Sequence, residues 1–238
     1  MDDSSYPFLK HLSDLRIAII RSIYGIFAGL VISFIFSDEI LKWFVSSLIK
    51  TSNNEIKLIA LAPYEYFFSE IRAALIGGIL IASPWIFYQI WLFVSPGLYK
   101  NEKRIAFYFV FSAVIFFISG IIFAQCFILP MVFNFFVKNT PSYIEGRYSI
   151  GVLFSFSSNL ILLFGIVFEI PLLIFLLILF NIVTIEILKS IRRYIIVIAF
   201  VLSAILTPTP DPFTQTAMAI PMILLYELGI FIARLFIL

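Results

Sequence analysis

One histidine and one cysteine in 238 residues leave little of the chemistry on which most enzymes rely. Cys126 sits in an apolar run, which excludes a disulfide framework and a cysteine-based metal site. His11 stands alone, so neither HExxH nor any His-pair metal site can form. A His-dependent triad would have to use that one residue near the start of the chain. Charge is scarce as well: Asp, Glu, Lys and Arg make up 13% of the chain, against about 25% in an ordinary soluble domain. The net charge of +2 offers no basic field for nucleic acid. The opening MDDSSYPF is acidic and polar, not a basic segment ahead of an apolar one, so no cleaved leader is expected. What remains is apolar: 62% of residues, with a mean hydropathy of +1.10. A globule of this size has too little interior to hide that excess, and the chain is expected to lie in a lipid bilayer.

Roughly 20 apolar residues carry a helix across about 30 Å of hydrocarbon. Spans are expected at about residues 17–36, 73–94, 105–129, 154–183, 194–206 and 213–232, within a single integral membrane domain covering 1–238. Arg21 interrupts the first span near its start, where a long side chain can snorkel to the interface. The last two apolar runs are short. They form either a hairpin dipping into one leaflet or two crossings in a locally thinned bilayer. The basic connections at 98–104 and 187–193, set against 208–212 with no base, favour six crossings with both termini cytoplasmic. The fold class is therefore all-α and polytopic, with short fifth and sixth spans.

The segments between spans have features of their own. Residues 38–48 place Ile40, Trp43, Phe44 and Leu48 on one face of a short interfacial helix. Pro63, Tyr64 and Glu65 open the next helix, the acid near its positive dipole end. Residues 132–149 read as a polar loop that caps the outer surface. Gly25 and Gly29 make a small-xxx-small pair, a pattern too frequent to carry much weight alone.

Four segments hold residues that could carry recognition or chemistry. In the first, Phe8, Leu12, Leu15 and Ile19 share a helical face while Lys10 and Asp14 pair at i, i+4 on another. Asp14 is either a solvated charge or a carboxylate displayed to a cationic partner. In the second, a Pro-Gly turn precedes Glu102, which stands among Lys100, Lys103 and Arg104. That is a positive-inside loop with a local ion pair, or half of a carboxylate pair with Asp14 able to hold a guanidinium pair. The third is Glu169 within GIVFEIP. An ionisable residue inside a span costs about 2.5–3.5 kcal/mol on insertion scales and marks a functional candidate. Pro171 frees the Val167 carbonyl beside it. A hydrogen-bonded structural glutamate and a transport residue remain equally good readings. The fourth is Thr207 to Gln215, a rigid polar turn in which Asp211 can cap the last helix and Thr214 and Gln215 can bond another membrane helix.

Taken together, HLSDLR at 11–16, PGLYKNEKR at 96–104, FEIP at 168–171, TPTPDPFTQ at 207–215 and LYE at 225–227 make the sequence similar to TatC, the receptor family of twin-arginine protein export. The resemblance runs essentially end to end. The family usually reads HLxELR, so Asp14 keeps the charge on a stem one methylene shorter, and TPTPDP stands where many relatives have TPPD. The resemblance implies a cupped bundle of six helices and recognition of twin-arginine signal peptides on folded precursors. It places that recognition at Asp14 and Glu102, with Arg16, Leu98 and Tyr99 nearby. Single-span TatA and TatB partners are implied near Thr207, Asp211 and Gln215. It further implies transport driven by the proton motive force without nucleotide or other cofactor, a homo-oligomeric assembly, and a bacterial inner membrane or an organellar one. A doubly cationic ligand suits a carboxylate pair, because arginine does not shed its charge.

Two other classes compete. An ion-coupled small-solute transporter would use Glu169 as its coupling acid, but it calls for broken helices in both halves and one such site is visible. A membrane enzyme lacks a nucleophile elbow, a metal cluster and a pair of intramembrane acids.

Overall fold

The computed structural model describes residues 5–51, 57–94, 103–141, 143, 146–207 and 211–237, and these are mostly helical. Among them, five stretches are long and apolar enough to cross a bilayer: Leu12–Phe34, Glu65–Val94, Phe107–Asn139, Ile150–Leu179 and Pro212–Leu235. The described chain divides into two compact units.

In the first unit, α1 (Ser5–Phe34) lies against α3 (Glu65–Val94). No proline follows Pro7 in α1, so the 11–16 segment and the first span form one uninterrupted helix. Inside α3, Pro84 cannot donate to the Leu80 carbonyl, and the Ser83 hydroxyl does so instead at 2.8 Å. The two helices meet backbone to backbone. A Cβ on Gly29 would drive into the Gly78 carbonyl oxygen, and one on Gly78 would come within 2.7 Å of the Leu30 nitrogen. A Cβ on Gly25 would strike the Trp85 ring. The glycine pair in the first span is thus a contact surface, without which α1 and α3 would have to part. Gly78→Leu is expected to destabilise the protein by about 1–3 kcal/mol through overpacking, seen as a lower thermal midpoint in detergent. An unchanged midpoint would show that the backbones do not touch.

The second unit contains the remainder of α2 (Ser37–Thr51) and most of the later helices. Phe44 of α2 meets Phe154 edge to face, ring centroids 4.9 Å apart, and its carbonyl accepts from Gln125 Nε2 at 3.4 Å. Two short strands, β1 (Lys57–Ile59) and β2 (Arg147–Ser149), pair in parallel with Leu58 opposite Tyr148. Glu65 does more than face a helix dipole. Its carboxylate accepts from the Leu61 backbone N–H at 3.0 Å and from the Ser149 hydroxyl at 3.0 Å. Ser149 in turn caps α6 (Ile150–Val167) by accepting from Val152 N at 3.2 Å. A single acid therefore ties the strand pair to two helix starts.

The polar loop expected at 132–149 is corrected in its first part, which is helical to Asn139. α4 (Lys103–Phe123) continues through a π-helical turn (Ala124–Ile128) into α5 (Leu129–Asn139). The wider turn lets Pro130 fall in the first turn of α5, where its missing N–H is not needed. Leu129, Val132 and Phe133 then bury at i, i+3, i+4, which hydropathy summed over a polar-looking segment does not reveal.

α6 is followed by α7 (Ile170–Leu179), α8 (Ile185–Ser190), α9 (Arg192–Leu206) and α10 (Pro212–Ile237). Asn181 takes φ 55° at the end of α7, and Ile182 N donates to the Leu177 carbonyl at 2.9 Å. This left-handed C-cap turns the chain sharply into α8. Ile174, Ile178, Leu188, Tyr226 and Ile230 form a core shared by α7, α8 and α10. α9 has 15 residues, about 22 Å of helix and less than a full hydrocarbon thickness. The final span, expected as a short one at 213–232, is longer: α10 runs for 26 residues, Pro212–Ile237. Its charged half is accommodated because Glu227 pairs with Arg192 at 2.6 Å and the Tyr226 hydroxyl donates to the Leu188 carbonyl at 2.7 Å.

Candidate recognition and intramembrane sites

The N-terminal motif rides on α1. Asp14 is half-buried and Arg16 is exposed, with Leu12 and Leu15 also open. Leu98, Tyr99 and Glu102 fall in 95–102, outside the described residues. The ends of that segment are fixed all the same, by Val94 closing α3 and Lys103 opening α4. The Trp85 indole N–H donates to the Arg21 carbonyl at 3.0 Å, which, with the Gly29–Gly78 contact, sets α1 and α3 antiparallel. Carried along that register, Asp14 comes level with the last turn of α3. The Asp14 end of α1 and the entry to the 95–102 segment therefore lie at the same end of the first unit.

Glu169 sits at the break between α6 and α7. Its N–H donates to the Ile166 carbonyl at 3.0 Å and its carbonyl accepts from Leu173 N at 2.9 Å, so the backbone turns without losing those bonds. Pro171 enters α7 in its first turn and is fully buried, its Cα in the path of any side chain at Gly229. Phe168 packs on Phe123, ring centroids 5.3 Å apart. The Oε1 oxygen of Glu169 is buried and has no hydrogen-bond partner among the described residues. A carboxyl group so placed has acceptor capacity in reserve for a donor that arrives from elsewhere.

In the fourth segment, Thr207 ends α9 and is buried, its N–H donating to the Ser203 carbonyl at 3.0 Å. Asp211 accepts from Thr214 N at 2.7 Å and from the Thr214 hydroxyl at 2.6 Å, capping α10. Gln215 is half-buried one residue further on, its N–H bonded to the Asp211 carbonyl at 3.2 Å. Residues 208–210 lie outside the described residues. Asp211 has a structural task here and Thr207 is buried with its hydroxyl on the Ala204 carbonyl, which leaves the half-buried Gln215 as the group placed to meet a neighbour.

Sequence reasoning gave Glu227 and Gln125 no task. LYE at 225–227 was a motif without a role, whereas the structure places its tyrosine and its glutamate against α8 and Arg192. Gln125 is wholly buried with Oε1 unpartnered, in the π-helical turn. A glutamine in an otherwise apolar span was the signal that could have found it.

A family model for the Sec-independent protein translocase protein (TatC) matches residues 10–221. A Sec-independent protein translocase protein TatC of Desulforapulum autotrophicum is 36% identical over 235 residues, covering 99% of this chain and 87% of that protein. Another, from Magnetococcus marinus, is 38% identical over 228 residues, with 96% and 84% covered. The chain is also similar to a crystal structure of the twin arginine translocase receptor TatC. That match has a TM-score of 0.85 and 38% identity, with 94% of this chain and 98% of that one covered. With the helices, the ordered motifs and these matches in agreement, the chain belongs to the TatC family of Sec-independent protein translocase components.

Proposed function

We propose that this protein is the signal-peptide receptor of a twin-arginine export system in a bacterial inner membrane. Asp14 and Glu102 hold the two guanidinium groups of the signal peptide, with Arg16, Leu98 and Tyr99 beside them. The observation that carries this reading is the Trp85–Arg21 hydrogen bond. Together with the Gly29–Gly78 contact it gives an antiparallel register in which the Asp14 end of α1 and the start of the 95–102 segment share one end of the unit. Two carboxylates at that end match two cations that cannot be neutralised by proton loss.

In this reading the chain crosses six times, α9 being a short fifth crossing, and both termini are cytoplasmic. TatA- and TatB-type single-span subunits dock near Thr207 and Gln215, several copies of the chain assemble, and the proton motive force drives transport. A thinned bilayer beside α9 lowers the barrier to a large cargo. The competing solute carrier built on Glu169 loses its footing once the family is known.

Photo-cross-linking from positions 14, 102 and 215 tests the arrangement. Positions 14 and 102 are expected to capture a twin-arginine signal peptide, and position 215 a single-span subunit. Capture of the signal peptide from position 215 alone would overturn the proposed division.

A further inference from the structure

A cleft between α1 and α3 is left unused by the reading above. It has a volume of about 560 Å³ and is lined mainly by Arg21, Tyr24, Trp85, Tyr88, Gln89 and Leu92. Arg21 is exposed, and no carboxylate pairs with its guanidinium among the described residues. Gln89 is 2% exposed and lines the same cleft, yet its amide makes no hydrogen bond among the described residues. The Trp85 indole N–H is already taken by the Arg21 carbonyl. The cleft thus presents one unpaired cation and one unused amide donor group, with the Tyr24 and Tyr88 phenols at its edge.

Depth decides what can answer that cation. Arg21 lies nine residues beyond Leu12, where the apolar stretch of α1 begins, and thirteen before its end at Phe34, so its long side chain can snorkel to the nearer, N-terminal interface. An unpaired charge at that level is unfavourable, and the tryptophan and tyrosines around it are interfacial residue types. The surfaces that run from the cleft toward mid-membrane are apolar. Ile81, Trp85, Tyr88 and Leu92 form one exposed stripe of α3, at spacings of four, three and four residues. Tyr24, Phe27 and Val31 form the matching exposed stripe of α1. A polar end holding a cation and an apolar track leading inward match a phospholipid, and the sign of the charge selects an anionic one.

We propose that this cleft binds an anionic glycerophospholipid from the leaflet nearest the N-terminal end of α1. The phosphate pairs with the Arg21 guanidinium and accepts from the Gln89 amide. The tyrosines border the glycerol, and an acyl chain follows Phe27 and Ile81. The lipid would thereby seal the α1–α3 seam without occupying Asp14.

The test is native mass spectrometry of the detergent-purified full chain, titrated with phosphatidylglycerol or with phosphatidylcholine of identical acyl chains. The wild type is expected to retain phosphatidylglycerol about tenfold better, as one charge-assisted contact would give. Arg21→Gln and Gln89→Leu should each cut that preference to about twofold or less, Arg21→Lys should keep most of it, and Arg193→Gln should leave it intact. Circular dichroism checks that each variant is folded. Gln89→Leu provides a reading that leaves the net charge unchanged. Equal retention of the two lipids by the wild type would overturn the proposal, as would full preference in both Arg21→Gln and Gln89→Leu. So would cross-linking from position 24 that captures a protein helix in place of lipid.

Discussion

Replacing Asp14 and Glu102 together with alanine is expected to abolish cross-linking to a twin-arginine signal peptide while the protein still inserts and accumulates. Each carboxylate offers a charge-assisted hydrogen bond worth about 1.5–3 kcal/mol, so each single replacement should weaken capture by roughly tenfold or more. Insertion should be spared, because α1 owes its place to an apolar run and to the glycine contacts with α3, neither of which involves Asp14. Asp14→Glu is the informative companion. It lengthens the stem by one methylene to the residue usual in the family motif, and it should retain capture. Asp14→Asn, with the same shape and no charge, should lose it. Raising the salt concentration should weaken the wild type too, since Asp14 is half-buried and remains open to screening. Undiminished cross-linking in the double mutant would end the assignment of these two acids as the ligand-binding pair.

Much of this architecture was legible in the sequence because membrane insertion is decided by transfer energies that add residue by residue. The apolar runs alone located the long helices, and the spacing of apolar residues at 38–48 located α2. Pairings between distant segments were not legible. Trp85 and Arg21 are 64 residues apart, and nothing local to either marks the other. Gly25 and Gly29 looked like a chance pattern until Gly78 and Trp85 filled the other side. The helical continuation to Asn139 was hidden because Pro130 reads as a break, and a π-helical turn is the device that absorbs it. The length of α10 was hidden for a different reason. Glu227 and Arg234 look like the end of a span, whereas the Arg192 partner of Glu227 comes from another helix. Among the candidate residues, sequence supplied Glu169 through its cost inside a span, and Asp14 as a carboxylate on a charged helix face within the HLSDLR motif. It gave Asp211 both a capping role and a docking role, and the geometry realises the cap.

Glu169→Gln is expected to retain export within about threefold of the wild type, whereas Glu169→Ala should lose about tenfold or more. Pro171 prevents the usual bond to the Val167 carbonyl, α6 and α7 meet at Glu169, and its buried Oε1 has no donor among the described residues. No cation faces that oxygen among the described residues either, so an ion pair is not what the site is built to hold. A glutamine keeps the length, the carbonyl acceptor and most of the volume, and adds an N–H that a carbonyl such as that of Val167, which Pro171 cannot donate to, can accept. Alanine removes the acceptor and leaves a void against Phe168 and the α6–α7 break, loosening a junction that Phe123 and Gly229 hold from two sides. Export of a twin-arginine reporter in cells, normalised to the amount of inserted protein, separates the two. If glutamine fell as far as alanine while inserting normally, a carboxyl-specific role would replace hydrogen bonding, and Glu169 would have to exchange a proton or meet a cation during transport.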